Sequence, residues 1–221
     1  MEYITSSDFH FKDTAVALGK FEGIHRGHQL LMDEVKKQEL HGLRSVVFTF
    51  DRPTRLTLTG DTEYKQIYTK KERREILEKR GIDILIEHPF TKEFAALTPD
   101  RFIREVLVEK VGAKVIVVGT DFHFGKNRSG SITDLEKLEE ECGYHLIVVE
   151  KLQLNGKDIS STRIRASLEK GAMEEAKALL GRNYSVSGEI LHGNALGRTI
   201  QVPTINQQVP SFKLLPPNGV Y

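Results

Sequence analysis

The sequence has little of what would direct a protein to a membrane or an oxidising compartment. Its single cysteine, Cys142, has no partner for an internal disulfide bond. The longest apolar runs, such as 115–118 and 146–149, fall far short of the roughly 20 residues that cross a bilayer. The first 13 residues are mixed polar and charged and do not resemble a signal peptide. We therefore expect a cytoplasmic protein with no membrane partner.

An excess of charge of either sign is also missing. The chain of 221 residues carries 32 basic and 31 acidic side chains, a formal net charge of +1. This balance argues against a general nucleic-acid or membrane-surface binder. We expect no nucleic-acid partner, and the composition leaves the oligomeric state undetermined.

Short β-branched runs alternate with amphipathic helical patterns through the first 150 residues. The strand candidates are 15–18, 45–50, 83–86, 115–118 and 146–149, and the helix candidates are 28–40, 70–80, 99–111 and 131–142. This alternation predicts an α/β fold with a parallel, doubly wound sheet. Ligands of such sheets bind beyond the carboxyl ends of the strands.

The composition changes near Arg182. Residues 183–221 carry only three charged side chains but four of the seven prolines, whereas 60 of the first 182 residues are charged. Short β-prone pieces follow at 185–191 and 199–202. We therefore predict two domains, an α/β domain at 1–182 and a small β domain at 183–221.

The strongest functional signal lies between the first strand candidate and the first helix candidate. Residues 19–28 read Gly-Lys-Phe-Glu-Gly-Ile-His-Arg-Gly-His. A glycine-rich turn at a helix N-terminus presents backbone N–H groups and the positive end of the helix dipole, and here two imidazoles join them. This arrangement predicts an anion site and phosphate chemistry. The spacing matches neither the dinucleotide fingerprint nor the P-loop, which disfavours a dehydrogenase or a P-loop kinase.

Two later segments carry a similar signal. Residues 159–165 read Ile-Ser-Ser-Thr-Arg-Ile-Arg before a helical pattern, and their hydroxyls exceed what an ordinary N-cap requires. A second helix N-terminus with a guanidinium suits phosphate groups. Residues 118–130 follow a strand candidate and combine glycines with two phenylalanines. Such a loop suits close approach to an adenine or a flat heteroaromatic ring, and a structural loop with aromatic plugs has the same composition.

These segments resemble a known family. The nucleotidyltransferase pattern G-x-F-D-G-x-H-x-G-H is met at Gly19, Phe21, Gly23, His25, Gly27 and His28. Glu22 stands where that pattern usually has Asp. Residues 159–165 resemble the I-S-S-T-x-x-R motif of the bacterial FAD synthetases, and 118–130 resemble the V-G-x-D-F-x-F-G-x-x-R-x-G stretch of the same family. One turn departs from it, because residues 49–54 lack the histidine of the family's T-F-[DE]-P-H-P.

The resemblance implies a Rossmann-like nucleotidyltransferase domain and a reaction, the transfer of AMP from ATP to FMN to give FAD and pyrophosphate. It implies catalytic roles for His25, His28 and Arg165. ATP contacts are implied for Gly19, Phe21, Gly23, Gly27, Gly119, Ser160, Ser161 and Thr162. Flavin contacts are implied for Asp121, Phe122, Phe124 and Arg128. Mg²⁺ is expected to neutralise the leaving group through phosphate oxygens and water, and no protein ligands for it are visible in the sequence.

The tail is similar to the opening of the riboflavin kinase barrel that follows the adenylyltransferase in bifunctional bacterial enzymes. The similarity runs from Gly188 to Asn206, and Thr204 and Asn206 match that enzyme's nucleotide and Mg²⁺ contacts. No residue after Asn206 is acidic, so the kinase's catalytic glutamate has no counterpart. Riboflavin kinase activity is therefore not expected of this chain alone.

Three other interpretations remain open at this stage. Another small-molecule nucleotidyltransferase would share the histidines but not the 121–125 loop or the kinase-like tail. A class I aminoacyl-tRNA synthetase would require a K-M-S-K-S-type loop, which is absent from the sequence. A flavin- or nucleotide-binding regulatory module without turnover is favoured by Glu22 and by the altered turn at 52–54.

Overall fold

The computed structural model describes residues 1–61, 63–192 and 204–221. One sheet is built from the strands β1 (Glu2–Ile4), β2 (Thr14–Leu18), β3 (Arg44–Phe50), β4 (Ile84–His88), β5 (Ala113–Gly119) and β6 (His145–Val149). All its pairings are parallel, in the order β1-β4-β3-β2-β5-β6. The strand order reverses between β2 and β5, the point at which doubly wound sheets bind ligands. The predicted α/β fold is confirmed; the short edge strand β1 was not predicted.

The helices are α1 (Arg26–Lys37), α2 (Thr54–Thr59), α3 (Lys70–Lys79), α4 (Lys92–Ala95), α5 (Pro99–Arg101), α6 (Ile132–Cys142), α7 (Ser161–Glu169) and α8 (Met173–Leu180). Short 3₁₀ turns lie at Gln38–His41 and Lys126–Arg128, and a π-helix at Phe102–Lys110 continues α5. The four predicted helices are present, with ends that differ by a few residues. The helix predicted at 99–111 is mostly π-helical, which hydrophobic spacing does not reveal.

The core lies on both faces of the sheet, and β2 at its centre is therefore buried along its whole length. On one face Val16 and Leu18 pack with Phe48 and the π-helix. On the other face Ala15 and Ala17 lie under α1, which contributes Leu31, Met32 and Val35. The alternation follows the two-residue period of a strand, and the small alanines let α1 pack close to β2. The start of α1 is thereby fixed at the carboxyl end of β2.

A third cluster joins α7 and α8 to the chain around Ile67 and to Leu214. Two small antiparallel pairs are separate from the main sheet. They are β7 (Gln153–Leu154) with β8 (Lys157–Asp158), and β9 (Glu189–Leu191) with β10 (Asn206–Gln208). The predicted strand piece at 185–191 is present as the shorter β9. The piece predicted at 199–202 lies outside the described residues. The domain boundary near Arg182 stays a prediction.

Candidate active site

Residues 19–28, the histidine turn, connect β2 to α1 in a strained conformation. Phe21 and Ile24 are fully buried and have φ angles of 44° and 40°, in the left-handed region that side chains other than glycine avoid. Each such residue costs about 1–3 kcal/mol and persists only where its surroundings hold it. A Cβ atom on Gly19 would lie 3.0 Å from the Phe21 ring, so a larger residue there would have to displace this ring.

His25 and His28 form a stacked pair at the start of α1. Their ring centroids lie 3.6 Å apart, and the edge of Phe21 contacts His28 with a centroid distance of 5.1 Å. His25 is the N-cap of α1, and its Nδ1 accepts a hydrogen bond of 3.2 Å from the backbone N–H of His28. Because Nδ1 is an acceptor, neutral His25 carries its proton on Nε2. That N–H is a donor the capping interaction does not use.

Both imidazoles are neutral at pH 7. Burial lowers the pKa of His25 to about 4, and the nearby Arg182 guanidinium adds to this effect. Burial, His25 and Arg182 hold the pKa of His28 well below its usual range. The Nδ1 of His28 is buried without a hydrogen-bond partner among the residues that the structure describes. Such an unpaired buried atom is uncommon in a folded protein.

The N-terminus of α7 lies against the histidine turn. Ser160 is its N-cap, and the Ser160 hydroxyl accepts a hydrogen bond of 3.3 Å from the backbone N–H of Arg163. A Cβ atom on Gly23 would lie 3.8 Å from the Ser161 Oγ, and one on Gly27 would lie 4.0 Å from the Ile159 carbonyl oxygen. The structure therefore brings together the two helix N-termini for which the sequence analysis predicted phosphate binding. The side chain of Thr162 is exposed beside them.

The two arginines of α7 take different partners. Arg163 donates to the Glu175 carboxylate at 2.9 Å and to the carbonyls of Leu154 and Lys157, which fixes the β7–β8 hairpin. Arg165 instead pairs with the carboxylate of Glu22 in the histidine turn. Arg165, the fixed position of the I-S-S-T-x-x-R motif, therefore borders the site, whereas Arg163 does not.

Glu22 joins the histidine turn to a segment at 64–68. Its carboxylate accepts from the Tyr64 hydroxyl at 2.8 Å and from the Ile67 backbone N–H at 3.3 Å. Burial and the Glu22 charge raise the pKa of Tyr64 to about 12, so Tyr64 remains a donor. The Arg165 guanidinium lies 4.1 Å from the centroid of the Tyr64 ring, a cation–π contact. Sequence reasoning missed Tyr64 because nothing in its local spacing marks it.

An open cleft borders Glu22. Its lining includes Lys20, Tyr64 and the turn at 52–54, where the family's histidine is missing. Pro53 stands at the position of that histidine, and the exposed Arg52 precedes it. The altered turn is therefore part of the wall of the site.

The loop at 118–130 divides its predicted flavin residues between the core and the surface. Phe124 is buried against Phe102 at a centroid distance of 5.3 Å, and its backbone exchanges two hydrogen bonds with Gly130. Phe122 is half-buried and stacks on Phe124 at 5.5 Å. The exposed residues include Asp121, which pairs with Lys151 at 3.1 Å, and Arg128. Gly119 ends β5 beside them.

The residues predicted from the kinase-like tail lie away from the histidine turn in the sequence. Thr204 and Asn206 are exposed, and Asn206 pairs with Leu191 in the β9–β10 pair. Most of the kinase-like motif, residues 193–203, lies outside the described residues. In the described part of the chain, no group of three or more histidine, cysteine, aspartate or glutamate side chains is arranged to hold a metal ion.

The strained entry of α1 and the start of α7 meet at the switch point of a parallel sheet, an arrangement typical of an α/β protein of the nucleotidyltransferase type. The model of the FAD synthetase family matches residues 8–163, and the riboflavin kinase model matches residues 180–221. The chain belongs to the FAD synthetase family.

Curated relatives carry both activities in their names. A bifunctional riboflavin kinase/FMN adenylyltransferase of Listeria monocytogenes is 34% identical over 220 residues, which are 99% of this chain and 69% of that protein. Proteins of the same name from Buchnera aphidicola and Bacillus subtilis are 33% and 35% identical over 95% and 94% of this chain, and 67% and 66% of their own lengths. The chain thus spans about two thirds of the length of these relatives.

A solved structure supports the fold. A protein from Streptococcus pneumoniae, described as a macrolide-efflux protein, superposes with a TM-score of 0.88 at 31% identity, over 100% of this chain and 73% of its own. Among the described residues of the present chain, none of the helices has the length and apolar character to cross a membrane.

Proposed function

We propose that this chain transfers the adenylyl group of ATP to FMN at the junction of the histidine turn and α7. The FMN phosphate oxygen attacks the α-phosphorus, the bond to the β-phosphate breaks, and FAD and pyrophosphate result. The observation that carries the proposal is the meeting of two helix N-termini with two neutral histidines, in a chain of the FAD synthetase family. Phosphoryl transfer of this kind relies on positioning and charge stabilisation more than on covalent chemistry.

His25 and His28 act on the α-phosphate. A neutral imidazole offers one N–H donor, and the capping bond leaves the Nε2–H of His25 for an anion. Donors already fixed by stacking and capping stabilise developing charge without reorganisation during the reaction. Gly19, Phe21, Gly23 and Gly27 give the turn the shape that puts these donors at the carboxyl end of β2.

Ser160, Ser161, Thr162 and Arg165 hold the β- and γ-phosphates and the leaving pyrophosphate. The first turn of α7 supplies hydroxyls and backbone N–H groups, and its dipole favours an anion. Arg165 is paired with Glu22 across the edge of the cleft, so binding of a triphosphate exchanges or extends that ion pair. A guanidinium can grip two phosphate oxygens at once.

The flavin occupies the side of the site formed by the 118–130 loop. Asp121, Phe122 and Arg128 are the candidates for direct contact, because their side chains reach the surface. Phe124 lies in the core and supports the loop from beneath. Gly119 allows the ribose or adenine to approach the end of β5 closely.

Mg²⁺ enters this proposal as part of the MgATP substrate. The described residues offer no cluster of three metal-binding side chains, so the ion is held mainly by phosphate oxygens and water. Bound there, it would neutralise charge on the leaving pyrophosphate.

The proposal is tested by incubating the purified chain with FMN, ATP and Mg²⁺ and following FAD by chromatography. His28→Ala removes a group aimed at the transition-state charge and is expected to lower turnover by ~10²–10³-fold. His41→Ala, on the exposed 3₁₀ turn after α1, is the matched control and should keep full turnover. Binding of both substrates without any FAD would instead identify a regulatory module.

A further inference from the structure

Arg182 follows α8 and reaches back to the histidine turn. Its Nη2 donates to the carbonyl of Gly23 at 2.9 Å, and its Nη1 donates to the carbonyls of Ile24 at 2.8 Å and Leu180 at 3.2 Å. Gln29 of α1 closes the same junction, because its side-chain amide donates to Ile24 at 2.9 Å and to Leu180 at 2.8 Å. One guanidinium thus joins the end of α8 to the turn that carries the histidines.

The carbonyls that Arg182 binds lie at the strained point of the turn. Ile24 has a φ of 40° and immediately precedes His25, the N-cap of α1. Buried carbonyls require partners, and these two face away from any strand or helix ladder. The planar fork of an arginine can satisfy both at once, which a single ammonium group cannot. Gly181 is the C-cap of α8 and has a φ of 72°, a left-handed conformation that glycine adopts without strain as the helix ends before Arg182.

We propose that Arg182 is a positioning residue of the adenylyl-transfer site, which it serves by holding the histidine turn in its left-handed conformation. The effect of Arg182 on catalysis rests on the proposed function, the formation of FAD. Arg182 lies beyond residues 8–163, which the FAD synthetase family matches, and within residues 180–221, which the riboflavin kinase family matches. Arg182 therefore lies at the predicted boundary between the two domains, and from there it binds the histidine turn of the transferase part.

The charge of Arg182 has a second effect on the same histidines. The charged and titratable groups that act on His25 are Arg182, which lowers its pKa, and Asp121, which raises it. For His28 they are His25 and Arg182, both of which lower its pKa. Burial is the largest cause in each case. Loss of the guanidinium is therefore expected to raise both histidine pKa values.

The experiment compares Arg182→Met, Arg182→Lys and Arg163→Met with the parent chain. Arg163 is the matched control because it also donates to two backbone carbonyls, yet on the side of α7 away from the histidines. FAD formation is measured across pH 4.5–8.5. In parallel, NMR titration of the histidine rings gives the pKa of His25 without any need for turnover.

Arg182→Met is expected to lower kcat by ~10- to 100-fold, with little change in KM, because the donors are displaced from the α-phosphate. It should also raise the pKa of His25 and shift the acid limb of the profile towards higher pH. Arg182→Lys keeps the charge but loses the fork, so it should keep the acid limb while kcat falls. The Arg163→Met variant should be less stable than the parent chain but should keep its kcat and the acid limb of its pH–rate profile.

A folded Arg182→Met variant with the parent's kcat and acid limb would overturn the proposal, as would an equal loss of kcat in Arg163→Met. Where Arg182→Met does not fold, Arg182→Lys decides: full kcat in that variant contradicts the need for the fork. If the parent chain makes no FAD, the proposed function fails. The NMR titration then still tests whether Arg182 sets the state of the histidine turn.

Discussion

Two ion pairs meet at the segment 64–68 from opposite sides. Lys213 and Glu72 are almost fully buried, with side-chain exposures of 0% and 2% and an Nζ–Oε2 distance of 2.7 Å. Arg165 and Glu22 border the cleft, with exposures of 15% and 19%. Both pairs bind Ile67, since Lys213 donates to its carbonyl at 2.8 Å and Glu22 accepts from its N–H. One pair therefore belongs to the scaffold and the other to the site.

Both members of the buried pair have further polar or aromatic partners. Glu72 also accepts from the backbone N–H groups of Thr69 at 2.8 Å and Ser187 at 3.0 Å. Lys213 lies between the rings of Tyr68 and Tyr184, 4.6 and 4.5 Å from their centroids. No substrate can reach such a group, whereas the pair at the cleft can exchange partners. The comparison indicates that the C-terminal segment sets the place of residue 67, and that residue 67 in turn helps to place Glu22.

The largest expected effect comes from breaking the buried pair. Lys213→Met leaves Glu72 as an uncompensated buried charge and should lower the free energy of unfolding by about 3–5 kcal/mol. Urea unfolding measures the change. Lys65→Met is the control, because among the described residues Lys65 donates to the Ser211 carbonyl alone, at an exposed site. A loss no larger than that of the control would show that the buried pair does not anchor the segment.

Arg165→Ala tests the pair at the cleft. We expect ~100-fold lower kcat/KM for ATP, because a bidentate partner of the triphosphate is lost. Arg163→Ala should change kcat/KM by less than ~3-fold and act mainly on stability, through the loss of its exposed pair with Glu175 and its two carbonyl bonds. Steady-state kinetics with ATP varied at saturating FMN separates the two. Equal kinetic damage would show that the α7 arginines are misassigned.

The pH dependence of stability tests the histidine turn independently of both ion pairs. The pKa of His25 is lowered to about 4 in the folded chain, so between pH 6.5 and 4 the unfolded chain binds protons that the folded chain does not. Stability is then complete above about pH 6.5 and falls as the pH approaches 4, by up to ~3 kcal/mol from His25. His25→Asn keeps an N-cap acceptor but cannot titrate. Its urea midpoint should therefore fall less over this range, and an identical fall would contradict the assigned pKa direction.

The smallest effect is expected from Glu22→Asp, which restores the residue more usual in the nucleotidyltransferase pattern. The shorter carboxylate keeps its charge but loses reach towards Arg165, Tyr64 or Ile67. We expect kcat/KM to change by less than ~10-fold, and Glu22→Gln to change it more because the charge is lost. Parallel FAD assays on the two variants test this order. A larger loss with Asp than with Gln would mean that reach matters more than charge.

The sequence predicted the parts of this structure that local pattern controls. The buried strands and the α/β class follow from hydrophobic runs, and the place of residues 19–28 follows from the rule that parallel sheets bind ligands at the carboxyl ends of their strands. The place of residues 159–165 beside them was implied only by the family resemblance, because the β7–β8 pair separates that segment from the sheet. Arg182 and Lys213 could not be found this way, because their partners lie more than 100 residues away in the chain. For Phe124 the sequence did not reveal the packing against Phe102. Its contact with the flavin stays a prediction.

The hydrogen bonds of Arg182 to the histidine turn join two parts of the chain that are synthesised at different times. The sheet is complete once β6 has been synthesised, and the histidine turn is among the first segments to emerge. The arginine that secures this turn is added about 150 residues later, on the order of ten seconds at the usual speed of translation. In the last part of that interval, after β6, the nascent chain has the six strands of the sheet and both histidines but not the fork that binds Gly23 and Ile24. On the proposed role of Arg182, catalytic competence is acquired only when residue 182 has been added.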